Sequence, residues 1–313
     1  MQLQNVAELQ NATRRFGHVV AVADLSLDLR AGEILGLYGP SGSGKTTTIR
    51  LILGVYLPTA GSVRILGVPS NRLGARERQQ IGYAAQRYLY PPTLTAYETV
   101  AYAAGLYGMG LFRGPRAVRH VLNKVDLWDK RRRSVDDMSG GERRRITNAA
   151  ALVHGPRLIF LDEPTSGLDP LLRTQTWEWF RELRSEGRTL LVSGHYLEEA
   201  EQCDRLALVV GGKVVALGTP GELRHQALGG EIVQVEVEGP LAAAVDALRD
   251  ISHQVSKIQV HAAQELWVTV PDAGTALPIL LERLQGKGVV VRSAGEVRPP
   301  FDEIFGTLVQ SGD

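Results

Sequence analysis

The chain has 313 residues, with 35 lysines and arginines against 34 aspartates and glutamates, for a formal net charge of +1. Roughly 150 residues per domain predicts two domains, and so even a charge balance excludes a whole-molecule pull toward nucleic acid or an acidic membrane, leaving any such partner to be met locally. The single cysteine, Cys203, excludes an internal disulfide framework; with no charged-apolar-small leader pattern at the start, a cytoplasmic protein is expected.

In chain order, "ELQNATRRFG", "VVAVADLSLDLR" and, further on, "GSVRILGVP" alternate apolar and polar residues between turn signals, which predicts a small antiparallel sheet. Residues 33–38, "EILGLY", form an apolar run entering a glycine-rich turn, and "TTTIRLILG" then repeats apolar residues at helical spacing as far as Gly54. Residues of about 87–150 carry tyrosines, glycines and helical periodicity, which predicts a helical insertion. Its most apolar stretch, Val100 to Phe112, is shorter than the roughly 20 residues of a bilayer span. The run "RLIFLDE" at 157–163 ends in two acids, a helical segment closes at Gly187, and "TLLVSGH" at 189–195 ends in histidine. Apolar strands alternating with helices predict an α/β protein whose parallel sheet is covered on both faces, with its chemistry at the carboxyl ends of strands. After a bland linker, "GTPGELRHQALGG", the remainder reads strand, helix, strand, strand, helix, strand, the ferredoxin-like order of a small α+β domain, and "PPFDEIFGTLVQ" closes as a helix. The expected domains are 1–225, with the helical subdomain at 87–150, and 226–313.

"GPSGSGKT" fits the phosphate-loop spacing and stands between a strand and a helix, where the mechanism needs it. Gly39, Pro40, Ser41, Gly42, Ser43 and Gly44 would fold backbone N–H groups around phosphate oxygens, and the helix start through Lys45, Thr46 and Thr47 adds its positive end. Lys45 would reach the β- and γ-phosphates, and Thr46 would offer its hydroxyl to Mg²⁺. Asp162 is the natural carboxylate for that metal, and Glu163, facing another way, could orient and deprotonate water. Paired acids at a strand end also occur as a solvated corner or a helix cap.

"MSGGERRR" at 138–145 places a good N-cap, Ser139, before Gly140 and Gly141, whose N–H groups could approach a bulky anion closely. The same "SGGE" also fits a capping box closed by Glu142. The arginines at 143–145 read as a solvated helix face with one phosphate-side contact.

The order of the phosphate loop, Gln86, "MSGGE", "LIFLDEPTSGLDP" and His195 resembles the nucleotide-binding subunits of ABC transporters over about residues 5–225. The resemblance implies a P-loop NTPase fold with a RecA-like parallel core, and ATP and Mg²⁺ as cofactors. It also implies that Ser139, Gly140 and Gly141 cap a nucleotide held by a second copy paired head to tail. Gln86 would touch Mg²⁺ or the water and sense the membrane partner, Phe16 would stack on adenine, Asp169 would cross the dimer interface, and His195 would contact the γ-phosphate. Met138 and Glu142 depart from the usual leucine and glutamine, and Glu142 is tolerable beside a nucleotide if it bonds ribose hydroxyls. His18, His120, His154, His225, His253 and His261 read as structural, and Cys203 as a small buried hydrophobe.

"TSGLDP", "LGTPGEL", the extra domain and "PPFDEIF" resemble ATPases of exporters, which implies a separate integral-membrane permease and a peripheral place on the cytoplasmic face of the membrane. Residues 88–112 would help form the groove for a permease helix. The C-terminal domain reads as regulatory, dimerising or purely structural. The rival, a soluble ABC ATPase acting on nucleic acid or the ribosome, usually carries two cassettes or a long coiled-coil insertion; neither is visible, and no nucleic acid is expected. A small-molecule P-loop kinase has no need of a helix that caps another subunit's phosphate.

Overall fold

The alternating segments at the start become two long strands, β1 (Asn5–Phe16) and β2 (Val19–Arg30), followed by β3 (Ile34–Tyr38), whose five residues are all buried. The computed structural model describes residues 4–249, 251 and 255–311 and divides the chain into units 1–217 and 218–313. Helix α1 (Lys45–Ile52), β4 (Ala60–Ile65), β5 (Val68–Pro69), a single turn α2 (Ala75–Arg78) and β6 (Ile81–Ala84) come next. Three helices, α3 (Ala96–Leu106), α4 (Arg113–Lys124) and α5 (Gly140–Leu152), make the insertion. The core then resumes with β7 (Leu158–Asp162), α6 (Pro170–Ser185), β8 (Thr189–Gly194), β9 (Arg205–Val210) and β10 (Lys213–Gly218).

Strands β2-β1-β4-β5 form the antiparallel sheet, and β10-β9-β3-β8-β7-β6 the main one, in which β9, β3, β8, β7 and β6 pair in parallel. Every residue of β3, β7 and β8 is buried, as a parallel sheet covered on both faces requires. Leu35, Leu37, Ile49, Phe160 and Leu191 join the inner residues of β1 and β2 in one core. This is a P-loop NTPase fold with antiparallel and helical additions.

The strand reading is incomplete on this unit. β6, β9 and β10 extend the main sheet beyond the three strands that the apolar runs announced. β6 is four residues long and interrupted by Gly82, which blunts its strand signal.

The second unit begins at 218, and its first element is a helix, α7 (Pro220–Leu228), which corrects the expected linker. Thr219 accepts a hydrogen bond from the Glu222 N–H at 3.2 Å, Pro220 takes the first helical position, and Gly229 closes the helix in the left-handed region. Residues that read as turn formers are the caps of a helix. Then follow β11 (Glu231–Glu238), α8 (Leu241–Arg249), β12 (Lys257–Ala262), β13 (Glu265–Val270), α9 (Ala273–Gly286), β14 (Val290–Val297) and α10 (Phe301–Ser311). The sheet order β12-β13-β11-β14, all antiparallel, is the ferredoxin-like arrangement. Val233, Val235, Leu266, Val268, Leu280 and Leu284 give this unit a core of its own. α7 packs on α10, with the Arg224 guanidinium 4.9 Å from the centre of the Phe301 ring.

Candidate functional site

β3 delivers the chain into the glycine loop at the carboxyl edge of the main sheet. Gly39 has φ 153° and its backbone lies so close to β9 that a Cβ would stand 2.0 Å from the Val209 carbonyl oxygen. No other residue fits there. α1 starts at Lys45, whose buried ammonium donates to the carbonyls of Gly39 (2.7 Å) and Pro40 (3.0 Å), bracing the loop from inside. Burial pushes its pKa down, against the opposing pull of Glu163 and Asp162.

Parallel pairing of β7 with β8 sets Asp162 beside Ser193. Asp162 is fully buried; its Oδ1 accepts from the hydroxyls of Ser193 (2.7 Å) and Thr46 (3.1 Å), while the buried Oδ2 has no hydrogen-bond partner among the described residues. Burial pushes this carboxyl's pKa up, and the Ser193 and Thr46 hydroxyls oppose the shift. At Glu163 the chain leaves strand geometry with φ 55°. Its N–H is held by the Ser193 carbonyl (3.2 Å) and hydroxyl (3.1 Å), and its carboxylate comes within 3.7 Å of His195 Nδ1. Ser193, which no motif flags, therefore fixes both acids. Only the register of two strands could have revealed it.

A cleft of about 520 Å³ is lined by residues 41–47 of the loop together with Gln86, Arg87 and Glu163. Phe16 does not line it; its ring is 40% exposed, edge-on to Tyr56 at 5.1 Å and beneath the Arg14 guanidinium at 4.6 Å.

Ser139, Gly140 and Gly141 also lie outside that cleft, at the start of α5. The capping box is formed: Ser139 Oγ accepts from the Glu142 N–H (3.2 Å) and Glu142 Oε2 from the Ser139 N–H (2.8 Å). Glu142 Oε1 accepts from Lys130 Nζ at 2.7 Å, which, with the Ser139 bonds, pulls the carboxyl down to about 2. Within one copy, Glu142 is thus bonded to its own helix start and to Lys130. Gly141 is also needed internally, since a Cβ would lie 3.0 Å from the Gly167 carbonyl.

The arginines are not a solvated face. Arg143 donates to the carbonyls of Val135 (3.0 Å) and Asp136 (2.7 Å), and buried Arg145 to Val125 (2.7 Å). Arg144 donates to the carbonyls of Ala85 (2.9 Å), Gln86 (2.5 Å) and Asp162 (3.3 Å), joining α5 to the glutamine loop and to the end of β7. Asp169 is exposed and caps α6 through the Leu172 N–H at 3.0 Å, with Pro170 next. His154 stacks on Tyr107 at 3.4 Å and His261 on Trp267 at 3.9 Å; His253 lies outside the described residues. Cys203 is buried, and burial raises its thiol pKa.

A glycine loop braced by a buried lysine, with the next threonine bonded to a buried aspartate at the end of a neighbouring strand, defines a P-loop nucleoside triphosphatase. Comparison with known proteins narrows the class. Residues 22–166 match the ABC transporter family and residues 218–309 the DrrA1-3-like C-terminal domain of ATP-binding proteins. The linearmycin resistance ATP-binding protein of Bacillus subtilis (strain 168) is 34% identical over 255 residues, 81% of this chain and 82% of that one. The Nod factor export ATP-binding protein I of Burkholderia lata is 36% identical over 266 residues, 85% and 86% of the two chains. A solved ATP-binding subunit of an ABC transporter superposes with a TM-score of 0.65 at 28% identity, over 71% of this chain and 92% of that one. A dimeric cassette in a post-hydrolysis state with ADP and Pi gives 0.64 at 26%, over 68% and 98%. The chain belongs to the ATP-binding subunits of ABC transporters, and it binds and hydrolyses ATP. No helix among the described residues is long and apolar enough to cross a membrane.

Proposed function

We propose that this chain powers export through a separate permease by closing on ATP as a head-to-tail dimer and reopening after hydrolysis. The observation that carries the reading is the cluster of Thr46, Asp162, Ser193 and Glu163 where β7 and β8 end above the loop. Residues 39–47 bind the phosphates, and Lys45 neutralises the transferred group. A buried carboxylate oxygen without a partner, Asp162 Oδ2, is suited to a divalent cation. Thr46, Asp162 and Gln86 would hold Mg²⁺, which offsets charge on the phosphates when bound. Glu163 orients the attacking water and takes its proton. His195, 3.7 Å away, steadies that carboxylate and reaches toward the γ-phosphate. Phe16, 40% exposed, is the ring that would stack on adenine.

Ser139 Oγ uses a lone pair on the Glu142 N–H, so its own O–H is left to donate, as are the N–H groups at the start of α5. Their acceptor is the phosphate of the second copy, and Asp169 lies at that interface. The dimeric cassette supports this pairing, and the relatives named for export and resistance support the direction. The permease keeps the subunit at the membrane's cytoplasmic face. Its helix fits an apolar groove of about 440 Å³ lined by Leu53, Val55, Leu73, Tyr83, Leu106 and Tyr107. Of the stretch 88–112, only Leu106 and Tyr107 line that groove.

The deciding experiment is the mass of Glu163→Gln in solution with and without Mg-ATP. We expect ATP to convert monomer to dimer while turnover falls below about a tenth. Tight ATP binding with an unchanged mass would refute the composite site.

A further inference from the structure

Leu111 and Phe112, between α3 and α4, are 90% and 88% exposed, more than any other large hydrophobic side chain among the described residues. They lead into a helix of unusual charge: α4 contains Arg113, Arg116, Arg119 and Lys124 and no acid. At 3.6 residues per turn, Gly114, Val118, Val121 and Leu122 face inward, and Arg113, Arg116 and His120 share the opposite, solvent-facing side. Residues 111–133 hold eight arginines and lysines against two aspartates, in a chain whose formal net charge is only +1. The positive charge is thus concentrated on one lobe.

The neighbours neutralise it only in part. Lys124 pairs with Glu182 at 2.5 Å, and Lys130 and Arg133 share Glu142, whereas Arg113, Arg116 and Arg132 have no ion pair among the described residues. Arg119 and Arg131 lie against the Trp128 ring at 5.2 and 4.4 Å, a face that attracts a cation without cancelling it. Water-exposed leucine and phenylalanine at the tip of an arginine-lined helix are what an interfacial surface requires: apolar groups for the headgroup boundary and cations for lipid phosphates.

We propose that the Leu111–Phe112 tip and the outer face of α4 form a docking surface for an anionic lipid bilayer, independent of the permease. A nucleic acid would use the arginines but has no place for an exposed leucine, and a groove-bound permease helix would touch neither element. None of these side chains lines the ATP cleft, so failure of this inference leaves the transport reading untouched.

The test is flotation of the purified full-length chain with permease-free vesicles, of phosphatidylcholine alone or mixed with phosphatidylglycerol. Binding should require the anionic lipid and weaken with salt. Arg113→Glu combined with Arg116→Glu should lower partitioning by about tenfold or more, and Leu111→Ser with Phe112→Ser should lower it at any salt concentration. ATPase activity in all variants should match the parent. A Phe112→Trp variant, which keeps a large ring, should shift its emission to the blue on anionic vesicles. Equal partitioning into neutral vesicles, or no blue shift in the bound protein, would overturn the proposal. So would an affinity for single-stranded DNA that matches that for vesicles and depends equally on Phe112.

Discussion

Arg144 is the side chain through which α5 reaches the proposed hydrolytic site. Its guanidinium holds the carbonyls of Ala85, Gln86 and Asp162, and charge-assisted bonds of this kind contribute about 1.5–3 kcal/mol each. Arg144→Ala should therefore let the glutamine loop drift, and sub-ångström misplacement at such a site costs rate more than binding. The expected outcome is a turnover reduced roughly tenfold with ATP affinity within about twofold, partly restored in Arg144→Lys. Equal losses in kcat and affinity would mean a general collapse. Lys45, Thr46, Asp162 and Glu163 were legible because glycine spacing and strand ends encode where their backbone goes. Ser193 and Arg144 were not, since what they touch lies 18 to 59 residues away and consists largely of backbone carbonyls, which have no sequence signature.

His154 gives a second test at this scale. Burial holds its imidazole down to about 4 against an ordinary 6.5, so the folded chain keeps it neutral while the unfolded chain takes up a proton. Its contribution to stability is complete above about pH 6.5 and drains away as pH falls toward 4, where the folded form protonates too. His154→Phe keeps a ring on Tyr107 and removes the titration. Its urea midpoint should start lower at pH 8, through loss of the 3.1 Å bond to the Ile81 carbonyl, and fall less than the parent's between pH 6.5 and 4.5. Parallel curves would exclude His154 as the source.

Among elements, α5 begins in a formed capping box, and the proposed dimer gives that same end a second duty. Ser139→Ala should cost about 1 kcal/mol of stability through the lost cap and abolish ATP-driven association. Ser139→Asp restores the cap yet sets a negative charge toward a phosphate, so stability should return and association should not. Recovery of both would confine Ser139 to capping. The capping alternative could be read from "SGGE" directly, but the commitment of Glu142 to Lys130 could not, because it depends on a loop whose path the spacing leaves open. α7 shows the converse error: Thr219, Pro220 and Gly229 were visible, and only the packing of α10 against the nine residues between shows that they bracket a helix.

For the whole molecule, each unit has a separate core. In calorimetry of Glu163→Gln, ATP at saturating concentration should raise the transition of residues 1–217 and leave that of 218–313 in place, since a ligand stabilises the unit that binds it. A joint shift of both would show that the units unfold as one. The division of labour could be read from the change in strand and helix order, although the boundary itself fell inside a segment that looked featureless.

The backbone at Glu163, with φ 55°, carries one more implication. A non-glycine residue in the left-handed region costs roughly 1–3 kcal/mol, and glycine escapes that cost. A library screened for heat resistance alone would therefore favour Glu163→Gly and, with Glu163 as the proposed base, deliver robust proteins that bind ATP without spending it. At this position, selection for durability and selection for work pull in opposite directions.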